Sequence, residues 1–117
     1  MDGKSAISRA EIDALWSGDL ESFGSIAEMF IAELDWRLPK LSEVEGRELE
    51  HLAHAIKGAS ANVGATRLSE LAFELEQRAA GEEDGGQHEL VARIRQEAEK
   101  VVRELQNTYT KGAGDDG

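Results

Sequence analysis

Apolar residues recur at three- and four-residue intervals through most of this chain, the spacing of helices that each bury one stripe. Ser8-Arg9-Ala10-Glu11 has the S-x-x-E spacing of a capping box and predicts a short helix running through about Trp16. Gly18-Asp19 breaks it. A long helix follows from about Leu20 towards Leu41, with Leu20, Phe23, Ala27, Phe30, Ile31, Leu34 and Leu38 on one face. Pro39 should kink or end it. Gly46 marks the next boundary, and residues 47–63 form a third helix with Leu49, Leu52, Ala53, Ile56, Ser60 and Val63 on the buried side. Gly64 supplies a stop, where the chain can turn left-handed. Thr66 begins a helix carrying Leu68, Leu71, Ala72, Leu75 and Ala79 inward, and residues 81–86 are a polar, Gly-rich turn. The last helix presents Leu90, Val91, Ile94, Ala98, Val101, Val102, Leu105 and Tyr109 along one stripe.

Four amphipathic helices joined by short turns predict an all-α fold, an up-down-up-down four-helix bundle with a short additional N-terminal helix capping one end. The expected organisation is a flexible N-terminus (1–7), a helical domain (8–110) and a flexible tail (111–117). Met29 and Trp36 form a second stripe on the long helix, expected to be packed by Ile12, Leu15 and Trp16. With every stripe used by one core, the chain should be a monomer.

Composition narrows the function. At 117 residues the chain holds one domain, large enough for a single core. It has no Cys, which removes disulfides, zinc–thiolate sites and cysteine nucleophiles together and fits a reducing, cytoplasmic setting. No apolar run is long enough to span a membrane, and no secretory leader is visible. The net charge of −11 disfavours binding to nucleic acid or an anionic membrane surface, which need clustered positive charge.

The third helix carries the candidate chemistry. At about 100° per residue, His54 falls nearly opposite the buried stripe. Its neighbours one and two turns on are Gly58 and Ala61, where a soluble helix ordinarily carries Lys, Glu or Gln. Gly inside a helix costs roughly 1 kcal/mol relative to Ala, so Gly58 asks for a reason. The simplest is that something must come close to His54. Lys57 is a surface neighbour, a cation placed to offset added negative charge. His51-x-x-His54 offers only two metal ligands on one helix, and Glu48-x-x-His51 has no second copy, so no metal site is expected. Phe73 points away from its helix's buried stripe. It is either an aromatic binding anchor beside the His54 face or a peripheral core residue covered by the Pro39 region.

The pattern H-x-x-K-G-x-S from His54 to Ser60, followed by Gly64-Ala65, Leu68 and Leu75-Glu76, resembles the histidine-containing phosphotransfer (HPt) domain family. The resemblance implies the same four-helix bundle. It also implies that His54 is a phosphoacceptor, that Lys57 stabilises the phosphoryl group, and that Gly58 admits the partner, with Nε2 the modified nitrogen. Ala61, His51 and Phe73 are the candidate partner-binding residues around it. Ser60 projects inward, which suggests helix packing or back-bonding rather than contact with phosphate.

The function so implied is that of a phosphorelay intermediate, a carrier rather than an enzyme. It would accept a phosphoryl group from a receiver-domain aspartate of a hybrid sensor kinase and pass it to the receiver of a response regulator. The chain would hold no cofactor, with Mg²⁺ on the receiver. No ATP site is legible. Two alternatives compete: the phosphoacceptor domain of a chemotaxis-type kinase, and a helical interaction module that has lost phosphotransfer. The initiating Met and polar tail favour a free-standing module over an excised domain, and intact His54, Lys57 and Gly58 argue against the degenerate one.

Overall fold

A computed structural model describes residues 5–81 and 87–109. Within them all regular structure is helical: α1 (Arg9–Trp16), α2 (Leu20–Lys40), α3 (Gly46–Asn62), α4 (Thr66–Ala80) and α5 (Gln87–Thr108). The four long helices neighbour one another in the order α2, α3, α4, α5 and back to α2, the closed ring of an up-down bundle, and α3 with α4 is the most extensive pairing. The expected tail (111–117) and most of the expected Gly-rich turn (82–86) lie outside the described residues.

Local chemistry sets the helix ends. The Ser8 side chain accepts from the Glu11 backbone N–H at 3.2 Å, and Asp19 accepts from that of Ser22 at 3.2 Å. Each satisfies one of the donors a helix start leaves unpaired. The bond from Ser22 also holds the Asp19 carboxyl below the usual carboxylate range. Pro39 sits in the last turn of α2, which ends one residue later. Ser17, rather than Gly18 alone, takes the left-handed conformation that closes α1.

Phe23, Ile12, Ile56, Leu68, Leu75, Ile94 and Leu105 are among the fully buried side chains, so the predicted stripes of α3, α4 and α5 do form the core. Leu52, Ile31, Leu38, Val102 and Tyr109 pack around its edge, half-buried. Ser60 is fully buried as its projection requires, but its hydroxyl has no hydrogen-bond partner, so packing is its role and back-bonding is not.

Three expectations are corrected. Leu20 is 43% exposed at the first position of α2, where Phe23 takes the buried place of that turn. Residues 5–7 are not loose: Ala6 and Ile7 are buried, and the Glu104 carboxylate accepts from both backbone N–H groups, at 2.8 and 3.3 Å, and from the Ser5 hydroxyl at 3.0 Å. Met29 and Trp36 are 58% and 51% exposed rather than covered by α1. The reason is where α1 is pinned. Trp16 packs edge-on against Phe23, and its indole N–H donates to the Asn62 carbonyl at 3.0 Å. Ile12 is buried against Gly64. α1 therefore closes the α2-start and α3-end corner, Leu15 faces outward at 54% exposure, and the middle of α2 keeps an open apolar face. The expectation of a monomer loses its premise that every stripe is used.

Gly64 joins α3 to α4 at φ +76°, and a Cβ there would stand 2.8 Å from Ile12 Cγ1 and 3.1 Å from the Ser8 carbonyl. Its own carbonyl accepts the Ser8 N–H at 2.8 Å. Gly64→Ala should therefore destabilise the fold by about 1–3 kcal/mol, through left-handed strain and the clash with a buried side chain. Urea unfolding followed by circular dichroism would measure it as a lower midpoint at unchanged slope.

Candidate functional site

The His54 side chain is 64% exposed midway along α3. Exposure follows from the stripe: Leu49, Ala53, Ile56 and Ser60 occupy the inward face, so the opposite face must meet solvent. Gly58 and Ala61 are exposed on this outer side, and a Cβ built on Gly58 meets nothing within 4 Å. Among the described residues no helix crosses there, so a close helix–helix contact does not explain the glycine. The space over it is open. Helical side chains lean toward their own N-terminus, so His54 covers the turn holding His51 and leaves the Gly58–Ala61 side clear. His51 is exposed, and among the described residues it has no ion pair or hydrogen bond.

Glu76 on α4 organises the site. Its two carboxylate oxygens are divided between two α3 side chains: Oε2 lies 2.9 Å from His54 Nδ1, and Oε1 lies 2.9 Å from Lys57 Nζ. Glu76 is partly buried, with 15% of its side chain exposed, next to fully buried Leu75. Burial pushes its pKa up. Hydrogen bonds and charges from Lys57 and His54 push it down and win, leaving the carboxyl below the ordinary glutamate value. Glu76 is accordingly an anion at neutral pH and can only accept. The shared hydrogen is therefore on Nδ1, and the free imidazole keeps its lone pair on Nε2, at the far side of the ring. The tautomer follows from this acceptor and is an assignment from chemistry.

Lys57 is held more firmly than a solvated surface charge. Its side chain is 28% exposed, and its ammonium lies 5.0 Å from the centroid of the Phe73 ring. Its carbonyl accepts from the Ser69 hydroxyl at 3.0 Å, a second tie between α3 and α4. Phe73 is 47% exposed and lies on the surface against Lys57, so it is not the core residue under the Pro39 region that one of its two readings expects.

The structure thus brings together His54, Lys57, Gly58 and Phe73, and adds Glu76 and Ser69. Glu76 was visible in the sequence only as the end of the Leu75-Glu76 motif. The signal that could have promoted it is an acidic residue beside an inward Leu, on the helix following one that carries both Lys and His. Among the described residues, no group of three or more His, Cys, Asp or Glu is placed to hold a metal ion, and no helix is long and apolar enough to cross a membrane.

A comparison with protein families finds that the model of the Hpt domain matches residues 25–108, more than two thirds of the chain and all of the site. No curated protein and no solved structure matches.

Two outcomes are expected of the free protein. In ¹⁵N-resolved NMR at neutral pH, the neutral His54 ring should be the Nδ1–H tautomer, and Glu76→Ala should move it to the Nε2–H form. Because the folded pKa of Glu76 lies below its unfolded value, its contribution to stability is complete above the ordinary glutamate range and is lost as pH falls through the folded pKa. Comparing Glu76→Gln with wild type in urea melts from pH 7 to 3 should show the stability gap closing toward the acid end.

Proposed function

The chain belongs to the Hpt domain family, whose members carry phosphoryl groups on histidine in two-component signalling, and on that premise we propose that His54 is the phosphoacceptor of a multistep phosphorelay. The observation that carries the reading is an exposed imidazole whose Nδ1–H is held by an anionic carboxylate, on a helix face left bare at Gly58.

A phospho-aspartate on the receiver of a hybrid sensor kinase docks over the bare face. The Nε2 lone pair of His54 forms the N–P bond as the aspartyl O–P bond breaks, and that electron pair leaves on the aspartate carboxylate. The ring becomes positively charged while Nδ1 keeps its proton, and Glu76 stabilises that charge across a 2.9 Å hydrogen bond. A cationic ring is a good leaving group, so the same arrangement serves the reverse step, donation to an aspartate on the receiver of a response regulator. The Lys57 ammonium, ion-paired with Glu76 Oε1 at 2.9 Å, has three N–H donors to offer the incoming phosphoryl oxygens. Gly58 and Ala61 give the receiver its approach, and His51 and Phe73 flank it. The receiver brings the Mg²⁺; this chain supplies no cofactor and is a carrier rather than an enzyme. One chain holds the whole site, so the reading needs no oligomer. It places the protein in the cytoplasm with its receivers.

The test is phosphoryl transfer from a panel of phosphorylated receiver domains, with His54→Gln beside wild type. Acid-labile label on wild type alone, rapid with one or two receivers, is the expected result. A folded wild type that takes no label from any receiver would overturn the relay reading in favour of a kinase-fed or binding-only domain. Gly58→Ala gives an independent prediction. Since its Cβ meets nothing within 4 Å, the change should raise stability by about 1 kcal/mol while slowing transfer from the same receiver. Thermal melts and the transfer assay would be read on the same sample.

A further inference from the structure

Phe73 lies against Lys57, and nothing in the chemistry above requires it to. An exposed Phe on a helix ordinarily costs solubility with no return, yet this ring is 47% exposed and sits with the Lys57 ammonium 5.0 Å from its centroid. Two groups therefore hold that ammonium: the Glu76 carboxylate at 2.9 Å and the ring. They hold it in different ways. A carboxylate neutralises the cation and competes with any phosphoryl group for it. An aromatic face attracts the cation through its quadrupole and leaves its charge and its hydrogen-bond donors unspent. A lysine carries four rotatable side-chain bonds, and ordering it for each transfer has an entropic cost that a preformed contact lowers.

We propose that Phe73 is a positioning residue for phosphotransfer, its ring keeping the Lys57 ammonium beside His54 and available to the phosphoryl oxygens. The inference rests on the reading of His54 as phosphoacceptor and deepens it. When the phosphoryl group arrives at Nε2, Glu76 stays engaged with the Nδ1–H, and Lys57 can loosen from Oε1 toward the new anion. The ring then limits how far it strays. This differs from a docking anchor, whose effect would run through contact with the receiver and not through Lys57.

A donor without a docking surface separates the two roles. Phosphoramidate labels histidine directly: His54 Nε2 forms a new N–P bond, the donor's N–P bond breaks, and its electron pair leaves with ammonia. With phosphoramidate as the probe, Phe73→Leu should label about two- to fivefold more slowly than wild type, the range of an exposed cation–aromatic contact. Phe73→Trp should restore the rate. In a Lys57→Met background, Phe73→Leu should have no further effect. NMR supplies the check on the contact itself: the ring-current shift of the Lys57 Hε protons should be present in wild type and absent in the Leu variant. Leu labelling as fast as wild type, an equal loss with and without Lys57, or no ring-current shift in wild type would each overturn the proposal. A wild type that takes no more label than His54→Gln would instead overturn the phosphoacceptor reading beneath it.

Discussion

One carboxylate on α4 organises the reactive face of α3. Without Glu76, His54 would be a solvated imidazole free to turn about two side-chain bonds, and the Lys57 ammonium would keep only the Phe73 ring beside it. With it, both are anchored 2.9 Å from a single rigid group. The arrangement works because Glu76 sits at the boundary of the core. Burial alone would tend to protonate it, and an exposed carboxylate would hold its partners only weakly through water and salt. At 15% exposure it remains charged because His54 and Lys57 face it, and it is dry enough for those contacts to be little screened.

This carboxylate can act only if α4 keeps its rotation and its height relative to α3. Three features hold it. Leu68, Leu71, Ala72, Leu75 and Ala79 bury one face of α4, which sets the rotation. The turn through Val63, Gly64 and Ala65 is buried and short, and Ala65 N–H donates back to the Ser60 carbonyl at 2.9 Å, which fixes the height. The Ser69 hydroxyl then reaches the Lys57 carbonyl at 3.0 Å, tying the helices at the level of the site. The clash a side chain at Gly64 would suffer against Ile12 links this turn to α1, so the short first helix supports the site without touching it.

Much of this was legible in the residues because burial stripes are a local property. Helix spacing alone places Ile56 inward and His54 outward, and it identifies the α4 and α5 cores. Gly58 was legible as well, since a glycine on a solvated helix face contradicts local propensity. Glu76 was not. Its importance depends on how α4 is rotated against α3, and periodicity within one helix does not report the angle to the next. The open face around Met29 and Trp36 was misjudged for the same reason. Whether α1 covers it depends on the tie from Trp16 to the Asn62 carbonyl, 46 positions away in sequence. Ala6 and Ile7 escaped because two apolar residues have no period, and the partner that holds their backbone is Glu104.

That last contact has a consequence for how the domain opens. Glu104 lies in the final turns of α5, and its carboxylate binds the backbone of the segment leading into α1. Close by, Tyr109 packs edge-on to Phe23 near the start of α2, with the Arg9 guanidinium 6.0 Å from its ring. Residues 5–9 and the last turns of α5 are thus stitched to each other. In a bundle whose first helix merely lay on the surface, the two ends would fray independently. Here, releasing residues 5–7 exposes Ile7 and leaves the Glu104 carboxylate without its backbone donors, so the opening of residues 5–7 is coupled to that of the last turns of α5. The Ser8 N–H bond to the Gly64 carbonyl at 2.8 Å ties the same segment to the turn between α3 and α4, so that unit borders the pair that carries His54.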